Sequence, residues 1–132
     1  MPAQSTLFRN ALTRFAAGVT VITARRANRL YGVTVSSFTS LSLDPAEILF
    51  CLGAHGRAVK GFARGSAFAV HILDDKQKKL AETFAGRGAL NWQNIPHQLT
   101  SDGVPVLPDV MAVLFCTTRT LHKGGDHRIV IG

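Results

Sequence analysis

The strongest constraint on this chain is how closely its strand-like runs follow one another. VTVITAR (19–25), the stretch from Leu30 to Leu43, EILFCL (47–52), SAFAVHIL (66–73), Met111 to Thr120 and Arg128 to Ile131 are dense in β-branched and apolar residues. Several are separated only by short turn signals such as ANR, Asp44-Pro45 and HKGGD. Parallel strands need a crossover of a dozen or more residues, whereas antiparallel strands need only a tight turn. The spacing favours an antiparallel barrel with a few appended helices over a doubly wound sheet. No GxGxxG, P-loop or CxxC motif is present.

Three helices are predicted. Thr6 to Ala17 places Phe8, Ala11, Leu12, Phe15 and Ala16 on one stripe, with Ser5 or Thr6 to cap it and Gly18 to stop it. A short helix follows GAHG, with Ala58, Val59 and Phe62 inward and Gly65 as its end. A third starts at Asp74, has Gln77 in the capping-box position, buries Leu80, Ala81, Phe84 and Ala85, and ends at Gly86. Arg87 to Asp109 holds three of the five prolines and reads as a long surface loop.

The 132 residues suit one domain, and 46% hydrophobic content supplies a core. A chain this small leaves much surface uncovered, so dimerisation would help. No apolar run reaches the roughly 18 residues of a membrane span, and MPAQSTLFRN lacks the pattern of a secretion signal. Cys51 and Cys116 make no disulfide framework and read as small residues buried in strands. A cytoplasmic protein without membrane attachment is expected. The net charge of +7 comes from scattered basic residues with no interleaved aromatics. That argues against nucleic acid and fits attraction to anionic small molecules, phosphorylated cofactors among them.

Three stretches carry chemistry. In GVTVSSFTSLSLDP, Val33, Val35, Leu41 and Leu43 share one parity, and Thr34, Ser36, Ser40 and Ser42 share the other. The hydroxyl row could line a heterocycle edge or be a solvated strand face. In CLGAHGRAVKGF, Gly53 and Gly56 allow close backbone approach. A helix beginning near Gly56, with Arg57 and Lys60, would make an anion seat, or simply a basic surface helix. In GGDHRIVIG, His127 opens a strand after a turn, where a surface or capping role competes with a functional one. His122 and His127 are poorly spaced for a metal pair, and no metal site is expected. His71 reads as structural, and Trp92 as a pocket cover or surface packing.

The ordered set FRNALTRFAAGVTVITA, YGVTVSSFTSLSLDP, FAVHIL, KQKKLAETFAG, GVPVL and GDHRIVIG resembles the short-chain flavin reductases, the reductase components of two-component flavin-dependent monooxygenases. The resemblance runs from about Phe8 to Gly132. It implies a mainly β fold with appended helices, an FMN-binding split β-barrel of Greek-key antiparallel type, built as a homodimer. It implies oxidation of NADH or NADPH, transfer of hydride to FMN or FAD, and release of reduced flavin to a monooxygenase. By position, Thr34, Val35, Ser36 and Ser37 would line the ring, and Cys51, Leu52, Gly53 and Ala54 would pass along its other edge. His55 and Arg57 would hold the phosphate, Phe84 and Arg87 would reach the tail or a pocket wall, and His127 would sit near the nicotinamide. The phosphate loop of the family commonly carries Ser or Thr where this chain reads AHGRA. The resemblance also implies a family domain that continues past Gly132 with strand that closes the barrel. The alternatives are a flavin- or haem-binding split barrel without turnover, a same-fold enzyme with its own substrate, and a small basic nucleic-acid-binding barrel.

Overall fold

One strand, β1 (Thr20–Arg26), forms the wall between two hydrophobic cores, and the rest of the fold is arranged around it. The computed structural model describes residues 2–12, 18–86 and 88–132. The first helix, α1, spans Pro2–Leu12; the predicted helix beyond Leu12 lies outside the described residues, as does Arg87. Thr20 to Ala24 are all buried, which suits a run with almost no polar break and two covered faces. Ile22 and Ala24 face one core, while Val21 faces the other. Thr23, also on the second face, donates its hydroxyl to the Pro105 carbonyl at 2.6 Å. A buried hydroxyl is tolerable there because it is bonded.

β1 turns into β2 (Arg29–Val35) through Ala27 and Asn28, both at positive φ (50° and 65°). This two-residue turn matches the right-handed twist of the strands. The first sheet has the order β2-β1-β5-β8, with β5 at Ala67–Ile72 and β8 at Ala112–Thr117. The second has the order β3-β4-β10-β9: β3 is Thr39–Leu43, β4 Ala46–Gly53, β9 Thr120–Gly124 and β10 His127–Ile131. A ribbon of β6 (Gln98–Leu99) and β7 (Pro105–Val106) stands apart. Every pairing is antiparallel.

The first core lies between the sheets. Phe50, Phe62 and Phe68 meet edge to face with centroids 5.4, 5.4 and 5.5 Å apart, an arrangement the ring quadrupoles favour. The second core lies on the outer face of β1, where α2 (Lys78–Ala85) and the 88–110 segment bring Phe84, Ile95 and Leu107 against Val21. The segment expected to be a surface loop thus supplies core residues, because its prolines alternate with apolar side chains that need cover. Trp92 joins this core, with its ring 5.6 Å from that of Phe84.

Two expected strands are each broken in two. The stretch from Leu30 to Leu43 passes from the first sheet to the second at Ser36–Phe38. The run from Met111 to Thr120 does so at Thr118–Arg119, where the Thr118 amide bonds Ser66 of the first sheet's rim and the Arg119 amide bonds Ile131 of the second sheet. Such corners are how strands close one sheet onto another. They also break alternation. A register shift between Ser40 and Ser42 adds to this, and Leu43, expected on an apolar anchoring face, is 92% exposed.

The capping box before α2 is present: the Asp74 carboxylate accepts the Lys76 amide (2.9 Å) and the Asp74 amide donates to Gln77 Oε1 (3.0 Å). Of the expected inward face, Phe84 is buried, Leu80 and Ala81 half-buried and Ala85 exposed. Phe84 packs against β2 at Gly32, where a Cβ would come within 2.5 Å of the ring. Gly32→Ala is expected to cost about 1–3 kcal/mol by overpacking. Thermal melts should show part of that loss recovered by adding Phe84→Leu; a midpoint unchanged in the single variant would dismiss the contact.

His71 is structural, as its apolar setting implied. It is buried, its Nδ1 donates to the Val21 carbonyl (2.9 Å), and its Nε2 accepts the Leu107 amide (3.0 Å). The ring is therefore neutral with both nitrogens used. Burial holds its pKa below the ordinary 6.5, against a weaker upward pull from the Val21 bond. Between that depressed value and 6.5 the unfolded chain binds a proton the native chain does not. Stability from this site is complete above about pH 6.5 and falls as the pH drops through the window beneath it. Urea midpoints taken from about pH 8 down to 5 should fall, and His71→Gln should flatten the slope. An equally steep slope in that variant would assign the effect elsewhere.

Candidate functional site

Where the two sheets part, an open cleft of about 280 Å³ forms. Its walls are the end of β2 (Val33, Thr34, Val35), the corner residues Ser36 and Ser37, the end of β4 (Cys51, Leu52, Gly53), and His127 at the start of β10. The volume is near the lower end for small-molecule sites. Eight predicted site residues thus meet in one place although they come from three distant parts of the chain.

The hydroxyls of this wall do different jobs. Thr34 Oγ1 donates to the Ala81 carbonyl of α2 at 2.5 Å, which commits its proton to the fold. Ser37 Oγ accepts the Cys51 amide (2.8 Å) and donates to the Cys51 carbonyl (3.2 Å). That side chain stitches the corner to β4 in place of a missing ladder rung. Ser36 is exposed and its hydroxyl has no partner among the described residues. The cleft wall therefore leaves one hydroxyl, at Ser36, for a ligand, and Ser40 and Ser42 of the row read from the sequence do not line the cleft.

β10 pairs with β4 so that His127 stands opposite Gly53. His127 follows a two-residue turn with Gly125 at φ 65°, a conformation glycine adopts without strain. Its Nδ1 lies 2.7 Å from Asp126 Oδ1. That bond holds the Asp126 carboxyl below the usual carboxylate range. The Ala54 amide donates to the Asp126 carbonyl (2.9 Å), so the turn after β4 and the turn before β10 are tied together at the mouth of the cleft. In the sequence Asp126 reads as part of a turn, within the GDHRIVIG stretch and immediately before a strand-opening histidine.

The anion seat needs correction. Ala58–Gly61 is a single 3₁₀ turn and not a helix, and Arg57 caps it without a side-chain bond. Too few peptide dipoles align there to attract an anion. What remains is exposed His55 and Arg57, the guanidinium of the latter without a protein partner among the described residues, on the turn that leaves the cleft wall. Phe84 is in the second core and does not reach the cleft. Cys51 is half-buried in the wall. Cys116, on β8, has its thiol pushed up to about 11 by burial, so it stays protonated and unreactive. Among the described residues no cluster of His, Cys, Asp and Glu could hold a metal ion, and no helix is long and apolar enough to cross a membrane.

A two-sheet antiparallel barrel, split along one side by a polar cleft with strand ends at its rim, is the architecture of a flavin reductase-type split barrel. Residues 12–132 match the flavin reductase like domain, and the chain belongs to that family. It is 36% identical over 125 residues to the FMN reductase (NADH) SmoA of Agrobacterium fabrum, covering 95% of this chain and 71% of that protein. Among solved structures, a nitrilotriacetate monooxygenase component B homologue from Mycobacterium thermoresistibile superposes with a TM-score of 0.90 at 34% identity, over 99% of this chain and 73% of the other. The NADH:FAD oxidoreductase SgcE6 of Streptomyces globisporus gives 0.89 at 32% identity, over 100% and 80%.

Proposed function

We propose that this chain is an NAD(P)H-dependent flavin reductase, which moves hydride from NADH or NADPH to FMN or FAD and supplies the reduced flavin to a partner monooxygenase. The observation that carries the reading is the cleft. It joins Ser36, the Ser37–Cys51 stitch, Gly53 and His127 at the rim of a flavin reductase-type barrel. The relatives' names support it from both sides: one is an NADH-dependent FMN reductase, one an NADH:FAD oxidoreductase, and one a monooxygenase component.

The residues fit a flavin. The lining is polar yet mostly uncharged, one hydroxyl is unpartnered, and cationic side chains stand on the adjoining turn. A flavin, when bound, supplies the two-electron acceptor, so the protein needs no nucleophile. Ser36 would donate a hydrogen bond to the heteroatom edge of the ring. Thr34 and Ser37 act at one remove, since their bonds to Ala81 and Cys51 hold the wall in place. Gly53 would let the backbone lie close to the ligand, and Ala54 would continue that edge at the mouth of the cleft. His55 and Arg57 draw in the anionic tail, with Arg87 a further candidate. Electrostatic attraction at the turn replaces the helix amides that the local structure lacks. His127 keeps Nε2 for the nicotinamide, because Nδ1 is occupied by Asp126.

The reading includes a cytoplasmic homodimer. Phe8, Leu43, Met111 and Phe115 are exposed large apolar side chains of the kind a second protomer covers. The test is to add FMN, FAD and riboflavin in turn to the purified protein and follow NADH and NADPH oxidation. Sustained turnover beyond one equivalent is expected. Retained flavin without turnover would favour a binding protein.

A further inference from the structure

We propose that Arg26, Arg29 and Lys60 form a second anion subsite, beyond Arg57, that takes the adenosine diphosphate half of a dinucleotide. The inference rests on the reading of the cleft as a flavin site.

These residues meet because two segments run side by side from the cleft to the tip of the first hairpin. One is β2; the other leads from β4 into the 3₁₀ turn at Ala58–Gly61. At the cleft end Ser37 bonds Cys51, and Val33, Val35 and Gly53 share the cleft itself. Further along, the Tyr31 ring fills the space over Gly61, where a Cβ would stand 2.7 Å from it. At the far end Arg26 Nη1 donates to the Lys60 carbonyl at 3.2 Å. Arg29 pairs directly opposite Arg26. It shares the parity of Tyr31, so it projects on the face that the 3₁₀ turn covers.

The charges gathered there are unbalanced. Like charges directly opposite across a strand pair destabilise it. The Lys60 carbonyl carries no formal charge. Among the described residues no carboxylate lies within ion-pair distance of Arg26, Arg29 or Lys60, and all three are exposed. An anion bridging them would turn that repulsion into charge-assisted bonding. Position selects the anion. Arg29 stands about 17 Å along β2 from Thr34 of the cleft wall. That is farther than the phosphate of FMN lies from its ring, and within the length of an extended FAD. NADH and NADPH carry the same adenosine diphosphate half.

ADP is the probe, and calorimetry with it needs no turnover. ADP should bind the wild type, and Arg29→Gln and Lys60→Gln should each weaken it about tenfold. Lys76→Gln, which removes one charge from an exposed residue on another element, should leave it unchanged. Flavin fluorescence and turnover then identify the source. FAD affinity lowered about tenfold in Arg29→Gln, with FMN affinity changed less than about twofold, assigns the subsite to the flavin. A KM for NADH or NADPH raised about tenfold, with the ratio of FAD to FMN affinity unchanged, assigns it to the nicotinamide dinucleotide. The thermal midpoint of Arg29→Gln should not fall, since the substitution relieves a repulsion. Failure of ADP to bind, an affinity indifferent to Arg29 and Lys60, or an equal loss in Lys76→Gln overturns the inference. Sustained NAD(P)H oxidation alongside any of those results would leave the flavin reductase reading standing. Arg29-dependent ADP binding in a protein that oxidises no NAD(P)H would sink that reading and keep the subsite.

Discussion

Ser36→Trp should weaken flavin binding about 100-fold, equivalent to roughly 2.7 kcal/mol, while thermal stability stays within about 2 °C of wild type. The effect is spatial. Ser36 lines a cleft of about 280 Å³, and an indole there would occupy much of the room a flat ring needs. The residue is exposed, lies outside the strands and bonds to nothing in the protein among the described residues, so replacing it leaves both cores alone. Ser36→Ala separates blocking from bonding. It removes one hydrogen bond of about 0.5–1.5 kcal/mol and should weaken binding about tenfold at most. Fluorescence titration with FMN and FAD reads both variants. Unchanged affinity in the tryptophan variant would place the flavin somewhere else.

Phe50→Ala is expected to remove about 3–5 kcal/mol, against a total stability of about 5–15 kcal/mol for a domain. Phe50 is fully buried and is the ring that both Phe62 and Phe68 meet edge-on. Its loss deletes two aromatic contacts and opens a void that the two sheets, held by their ladders, cannot close. A midpoint lowered by about 10–20 °C follows for a chain of this size. Phe50→Leu should cost clearly less, because a branched aliphatic fills part of the space. Similar losses for the two variants would mean that the ring contacts, and not the void, set the cost.

How far the sequence reached depended on what kind of force placed each residue. β1 was readable because VTVITA has one physical solution: β-branched side chains on both faces of a buried strand. The capping box at Asp74 was readable because it is local, spanning only Asp74 to Gln77. The corners at Ser36–Phe38 and Thr118–Arg119 were not, because neither carries a glycine or proline to announce it. They exist because successive amides find partners in different sheets, a tertiary fact. The same cause undid the hydroxyl row. Alternation holds only within one strand, and the bonds that commit Thr34 and Ser37 come from α2 and β4. Family resemblance, not spacing, brought Cys51 and His127 together with Ser36. The 2.7 Å contact between Asp126 and His127 needed coordinates, since Asp before His in a turn is common.

The burial of β1 on both faces has a consequence for how the molecule comes apart. No part of Thr20 to Ala24 can lose its cover on one side without weakening the other, because the same five residues hold Phe84 and Leu107 on one side and belong to the phenylalanine core on the other. The barrel and its outer layer should therefore melt as a single cooperative unit, and the amide protons of Val21 to Ala24 should exchange with solvent only when the entire domain opens.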